Sequence, residues 1–321
     1  MTAPAIIILH RGDPYYLKYC LYQARYTNPD STIYLLGDES NNHYEGIEHY
    51  PVDSYWQSTA EFTKLYVHLS SRGYEYELFC IQRWFVLLDF MKAHRLERCV
   101  HLDSDVLLYD NLQQSHDWLG QDILQYIHWI PHVMYINSLR GLEQWCSYIT
   151  KSYENASMLH TLEGLYQRYI DGEDPGFVGV SDMTLLELYQ KQYDERTSNL
   201  FKRREFTDAV HDDNINTGSF FRTSISGLGK QLSWSHQIPY GEFQGKRLRF
   251  QSLHCQGYAK ARMPTLSTFP KKNIQSAYWS EAFKISWPYI LKTWYRTIRY
   301  GSVSGGPKKE SNEAKPELTN L

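Results

Sequence analysis

Cys99-Val100-His101-Leu102-Asp103-Ser104-Asp105-Val106-Leu107-Leu108 is an apolar, strand-like run interrupted by two aspartates with one residue between them. In a strand, side chains at i and i+2 share a face, so Asp103 and Asp105 converge and Ser104 turns away. Two converging carboxylates in apolar surroundings are costly to bury unless a positive charge neutralises them. A hard divalent cation with oxygen ligands does this, and Mg2+ or Mn2+ keeps coordination positions free for substrate phosphates. The plainer reading is a strand end whose aspartates are solvated or cap the next turn. The apolar flanks on both sides place the pair inside a buried strand or at its rim instead.

Upstream of this run the pattern is strand, turn, helix, strand. Residues 5–9 are an apolar strand. His10-Arg11-Gly12-Asp13-Pro14 reads as a turn, with Asp13 as helix cap and Pro14 at the first helical position. Leu17, Cys20, Leu21 and Ala24 then recur at helical spacing, and Asn28-Pro29-Asp30 breaks the helix. Residues 31–38 form a second strand ending in Gly37-Asp38, and 47–52 a third. Residues 61–69 and 77–94 read as helices, the second carrying Leu78, Ile81, Phe85, Leu88 and Met91 on one stripe and Arg83 within it. Such a β-α-β opening is a nucleotide-binding half-fold. It lacks GxGxxG, so a dinucleotide cofactor is not indicated. The two aspartates fall at the carboxyl edge of the resulting parallel sheet, where such folds bind ligands.

Downstream, residues 112–119 read as helical, 122–127 and 133–136 as strands, and 139–153 as a helix. Residues 155–180 read as irregular, with a loop at Asp171-Gly172-Glu173-Asp174-Pro175-Gly176. Ser181 or Asp182 caps a helix whose apolar face is Leu185, Leu188 and Tyr189. His211-Asp212-Asp213-Asn214-Ile215-Asn216-Thr217-Gly218-Ser219 reads as a polar loop near a sugar or acceptor. A second metal site there is disfavoured, because adjacent residues point apart.

The strand-like run 247–253 leads into His254-Cys255-Gln256-Gly257-Tyr258-Ala259-Lys260. The spacing His-x-x-Gly-x-x-Lys suits a loop around a phosphate. The neutral His supplies a nitrogen ligand, Gly257 lets the backbone approach an anion, and Lys260 adds a point charge.

Taken in order, these motifs resemble the GT-A fold glycosyltransferases, and within them the family 8 type, which uses nucleotide sugars with retention. The likeness spans residues 5–260 as an order of elements. The family follows its motif with Pro-Trp, where this chain has Ala261-Arg262. The resemblance implies Mn2+ or Mg2+ on Asp103, Asp105 and His254, and a nucleotide-diphosphate sugar as donor. It places the diphosphate against Gly257 and Lys260, with His10, Arg11, Asp38 and Ser104 in the same donor-binding set. It puts Arg83 on the donor and Asp182 beside the reacting sugar carbon, as the catalytic pair. The implied reaction is hexose transfer, with a UDP-sugar favoured, to a glycan or lipid-linked acceptor in surface polysaccharide or glycolipid assembly.

The expected fold class is α/β: one Rossmann-like GT-A domain over 1–276, with a mixed, mostly parallel central sheet. A C-terminal aromatic and basic helical segment over 277–300 and a disordered tail over 301–321 follow. In residues 278–300, Trp279, Trp287, Tyr289, Trp294 and Tyr295 alternate with Lys284, Lys292, Arg296 and Arg299. That mixture suits a membrane surface and equally a helix packed on the domain.

Composition sets the outer limits. The 321 residues are 42% hydrophobic with a net charge of −3, which supports a large core and leaves no basic footprint for nucleic acid. No run of about 18 apolar residues marks a membrane span, and no signal peptide is visible. The five cysteines are scattered without a CxxC, which fits reduced thiols and an expected cytoplasmic setting, peripheral on the inner face of the membrane. The 27 tyrosines and nine tryptophans suit both sugar stacking and ordinary cores. A sugar-phosphate nucleotidyltransferase shares the architecture, but a Gly-rich basic loop after the first strand is absent; only Arg11-Gly12 stands there. A non-catalytic nucleotide-sugar or carbohydrate-binding protein of the same fold is the remaining alternative.

Overall fold

The computed structural model describes residues 3–114, 124–127, 130–174, 177–193, 197–200, 207–218, 220–224 and 229–270. The first half of the described chain runs β1 (Ala5–Leu9), α1 (Leu17–Thr27), β2 (Ile33–Gly37), β3 (Glu48–Pro51), α2 (Gln57–Thr63), α3 (Tyr74–Ala93), β4 (Cys99–Leu102) and β5 (Val106–Leu108). It continues with β6 (Leu124–Ile127), β7 (Ile130–Ile136), α4 (Leu139–Glu154), α5 (Ala156–Ile170) and α6 (Asp182–Gln192). The short strands β8 (Thr197–Asn199), β9 (Ala209–His211) and β10 (Ser233–Ser235) precede β11 (Ile238–Phe243), β12 (Lys246–His254) and α7 (Met263–Leu266).

Seven strands form the main sheet in the order β3-β2-β1-β4-β7-β6-β8. β1 pairs in parallel with β2 and β4, β2 with β3, and β6 with β8, while β7 runs antiparallel to β4 and β6. This is the mixed, mostly parallel α/β sheet expected from the sequence. Its strands alternate between two apolar layers, as the pleat dictates. Ile6, Ile8, Val100 and Leu102 join α1 residues Leu17, Cys20, Leu21 and Ala24 on one side. Ile7, Leu9, Met134 and Ile136 meet Ile81, Trp84, Phe85 and Leu88 of α3 and Trp145 and Ile149 of α4 on the other. Both faces of the sheet's centre are covered, so β1 and β2 read as nearly unbroken apolar runs, while the edge strands β3 and β8 do not. α3 is buried beyond its predicted stripe, with Trp84, Val86, Leu87 and Phe90 also sequestered.

The run Cys99–Leu108 is two strands, not one. β4 belongs to the main sheet, whereas β5 joins a second sheet, β10-β11-β12-β5, with β9 added beside β12. Asp103-Ser104-Asp105 is the turn between them, closed by the Val106 N–H donating to the Asp103 carbonyl at 3.1 Å. Asp and Ser are turn formers, and the apolar residues on either side fill two different sheets.

Other expectations change as well. α1 begins at Leu17 with Tyr16 as its cap residue, because residues 14–16 form a separate turn in which the Leu17 N–H reaches the Pro14 carbonyl. Asp13 meets the Tyr44 hydroxyl instead of capping the helix. The helix expected over 61–69 is α2, ending at Thr63; beyond it the chain extends so that Ser70 bridges Gly179. Residues 156–170 are not irregular: α5 starts on the Asn155 side chain, which accepts from the Ser157 and Met158 N–H groups, while 171–174 form the expected turn and 175–176 lie outside the described residues. Residues 112–114 are a turn, and 115–119 lie outside the described residues. So do the aromatic segment 277–300, the tail 301–321 and Ser219. No described helix is long and apolar enough to cross a membrane.

Candidate active site

The carboxyl ends of β1 and β4 open into one cleft, as parallel order requires. The Asp103 N–H donates to the His132 carbonyl on β7 at 2.8 Å, which fixes the start of the turn. The Cys255 N–H donates to the Asp105 carbonyl at 2.8 Å, which fixes its end. β12 lies antiparallel to β5 with His254 opposite Val106. One oxygen each of Asp103 and Asp105 and a ring nitrogen of His254 therefore come within 4.8 Å of one another. The carboxylates converge as the strand argument predicted, though a turn and not a strand brings them together.

Each carboxylate has its own cations. Arg83 Nη1 lies 2.5 Å from Asp103 Oδ1, and the His101 ring lies 3.4 Å from the same oxygen. Lys260 Nζ is 2.7 Å from Asp105 Oδ2, and His254 Nε2 is 3.5 Å from Asp105 Oδ1. Burial opposes ionisation of both carboxyls, but Arg83 and His101 outweigh it at Asp103, and His254 and Lys260 outweigh it at Asp105. Both are held well below the usual carboxylate range. Burial likewise disfavours a charged His254, yet Asp105 beside it pushes the imidazole up to about 9.

Arg83 also spans to Asp182, with Nη2 at 2.6 Å and Nε at 3.2 Å from Oδ2. The same oxygen accepts from Trp84 Nε1 at 3.2 Å. Asp182 is the first residue of α6, capped by Ser181, and is 3% exposed. Arg83 thus ties the Asp-Ser-Asp turn to the start of α6, and Asp182 sits behind it, outside the cavity wall.

That cavity has a volume of about 680 Å³, within the range of small-ligand sites. Asp103, Ser104, Asp105, Lys260 and Arg83 line it, together with His10, Arg11 and Tyr16 and the aromatic rings of Trp56, Tyr76 and Phe79. Arg11 pairs with Asp53 at 2.5 Å and lies over the Trp56 ring at 5.0 Å. Asp38 does not line the cavity; its carboxylate accepts from the Gly12 and Ser40 N–H groups and ties the loops after β1 and β2 together. Gly257 has φ +60° and opens the 3-10 turn Gly257–Arg262 that returns Lys260 to Asp105. A Cβ there meets nothing within 4 Å, so the demand at Gly257 is on conformation, not space. A larger cavity of about 750 Å³ opens between Tyr109, Tyr240 and Arg249; among the described residues the one cluster suited to a metal ion, Asp103, Asp105 and His254, is not on it.

Two carboxylate oxygens and an imidazole nitrogen are a donor set suited to Mn2+ or Mg2+, with coordination positions left for phosphate oxygens.

The segment 211–218, expected as a polar loop near a sugar or acceptor, is buried at its start and exposed at Thr217. His211, Asp212 and Asp213 are buried, and Lys230, itself fully buried, pairs with both aspartates, at 2.7 Å and 2.6 Å. This cluster underlies His254. Trp84, His101, His132 and Lys230 went unmarked in the sequence. Their partners lie on other elements, and no local spacing announces them.

No protein-family model matches the chain, and no curated protein matches it. The solved structures it is similar to include glycosyltransferases. One is the glycosyltransferase GlyE of Streptococcus pneumoniae TIGR4, at 15% identity and TM-score 0.38, covering 93% of this chain and 64% of that one. Another is an active-site variant of LgtC, at 13% identity and TM-score 0.40, covering 84% and 98%. A third is mouse xyloside xylosyltransferase 1, at 12% identity and TM-score 0.38, covering 61% and 84%. The chain spans less than two thirds of the length of GlyE.

Proposed function

We propose that the chain is a metal-dependent glycosyltransferase of GT-A type that moves a hexose from a nucleotide-diphosphate sugar, a UDP-sugar for preference, to a glycan or lipid-linked acceptor. The observation that carries this is the convergence of Asp103, Asp105 and His254, with Lys260 and Arg83 against the same carboxylates, at the carboxyl edge of β1 and β4.

Asp103, Asp105 and His254 would hold Mn2+ or Mg2+, which supplies Lewis-acid neutralisation of a leaving diphosphate. Lys260 and Gly257 receive the diphosphate, and Lys260 and Arg83 stabilise its developing charge. His10, Arg11 and Ser104 bind the donor in the same cavity, with Asp38 fixing the loop that carries His10 and Arg11. Asp182, held behind Arg83, orients that guanidinium toward the donor and does not itself reach the sugar. The acceptor oxygen bonds to the anomeric carbon as the bond from that carbon to the diphosphate oxygen breaks, and the acceptor's hydroxyl proton passes to the departing diphosphate. A membrane-surface role for residues 278–300, with a cytoplasmic, membrane-peripheral setting in surface glycan assembly, belongs to the same proposal.

The test is a panel of UDP-, GDP- and other nucleotide sugars with Mn2+, scored for nucleoside diphosphate release, with EDTA and Asp105→Ala as controls. Metal-dependent release from one donor, lost in Asp105→Ala, is the expected result. A folded protein that neither turns over nor binds any nucleoside diphosphate overturns the reading.

A further inference from the structure

His254 is held from several directions by groups the proposed reaction does not use. Its main-chain N–H donates to Asp212 Oδ2 at 3.0 Å, and its carbonyl accepts from the Ile215 N–H at 3.1 Å. Its ring Nδ1 lies 2.7 Å from the Asp213 carbonyl. The His132 ring stacks on it with centroids 4.1 Å apart and planes 8° from parallel. His132 is anchored in turn by Nε2 against the Asp212 carbonyl at 2.8 Å.

A carbonyl only accepts, so the proton facing Asp213 sits on Nδ1. In the neutral imidazole this leaves the Nε2 lone pair directed toward Asp105. The direction of that lone pair depends on where the Asp212-Asp213 main chain lies, and the main chain is pinned by Lys230. The ammonium donates to Asp213 Oδ1 at 2.6 Å and to the Asn214 carbonyl at 2.8 Å, and forms an ion pair with Asp212 Oδ1 at 2.7 Å. Lys230 is 1% exposed and Asp212 is 0% exposed. Charges so deeply buried bring little net stability, because desolvation offsets their attraction.

We infer that the buried Lys230–Asp212–Asp213 cluster, with His132, is a positioning device for His254 that selects Nε2 as its metal-binding nitrogen. The inference rests on His254 being a ligand. Outer partners of metal-binding histidines commonly set tautomer and ring direction, and their loss costs about 10–100-fold in metal affinity.

The experiment measures Mn2+ binding to the full chain by calorimetry and by the EPR signal of free Mn2+. The variants are Lys230→Met/Asp213→Asn, which removes one charge of each sign, and His254→Asn. The double variant, shown folded by its thermal melt, is expected to lose about 10–100-fold in Mn2+ affinity. Long-range 1H–15N spectra of the Mg2+-saturated protein should show the His254 proton on Nδ1 in the wild type and a mixed state in the variant. A folded double variant with wild-type Mn2+ affinity, or a wild-type His254 protonated at Nε2, overturns the positioning role while leaving the metal site standing. Unchanged Mn2+ affinity in His254→Asn instead removes the metal site, and the inference with it. Should the double variant not fold, Asp213→Asn alone gives the same two readouts, with a several-fold loss expected and no loss refuting.

Discussion

Lys260→Met should move two affinities in opposite directions. In the empty site Lys260 Nζ stands 2.7 Å from Asp105 Oδ2, so a metal ion entering alone must displace it. At an effective dielectric near 20, opposite unit charges at that distance attract by about 6 kcal/mol. The Lys260 side chain is 29% exposed, so solvent and side-chain freedom cut this several-fold, to about 1–2 kcal/mol. Removing the competitor should therefore tighten binding of Mn2+ alone by about 5–30-fold. With a nucleoside diphosphate present, Lys260 has the phosphate to pair with. Losing a hydrogen bond to a charged group costs about 1.5–3 kcal/mol, so UDP binding at saturating Mn2+ should weaken by about 10–100-fold. Calorimetric titrations of Mn2+ alone, and of UDP at saturating Mn2+, measure both. If Mn2+ and UDP affinities fall together, Lys260 does not guard Asp105 in the empty site and the reasoning fails.

Two further outcomes follow from the buried charges. Arg83→Met leaves Asp103 and Asp182 without their shared guanidinium and should cost about 3–5 kcal/mol in urea unfolding; a cost under about 1 kcal/mol contradicts the bridge. Burial, then His254, pushes His132 down to about 3 from the ordinary 6.5, so stability is fully present above about pH 6.5 and drains as pH falls, because the unfolded chain takes up a proton the folded one refuses. Between pH 6.5 and 5 the loss from this group is about 2 kcal/mol, and His132→Asn should flatten urea-derived stability over that window; an unchanged slope counts against it.

Much of the fold is legible because the parallel sheet is covered on both faces. Ile6–Leu9 had to be apolar throughout and Cys99–Leu102 apolar apart from His101, and α1 and α3 present Leu17, Cys20 and Leu21, and Ile81 and Phe85, at helical spacing. α5 escaped notice for the converse reason. Only Leu162 of its residues is buried, so its periodic Leu159, Leu162 and Tyr166 are diluted by His160, Thr161 and Gly164. The passage of the chain from one sheet to the other at Ser104 leaves no mark in hydropathy, since β4 and β5 are equally apolar. In the site, Asp103, Asp105, His254 and Lys260 carry short-range patterns, and the structure brings them together. Lys230 has none: its partners are 16 to 18 residues away, joined through loops without periodicity. Trp84 reaches Asp182 across 98 positions.

The one-residue spacing between Asp103 and Asp105 is also set by the seam between the two sheets. β5 and β12 act as a vernier: Val106, Leu107 and Leu108 stand opposite His254, Leu253 and Ser252. Lengthening the turn by one residue would slide β5 along β12 by about 3.4 Å, carrying the aspartates off the imidazole and inverting the faces of β5. A substitution at Ser104 is thus a local change, whereas an insertion or deletion there reaches every side chain of β5.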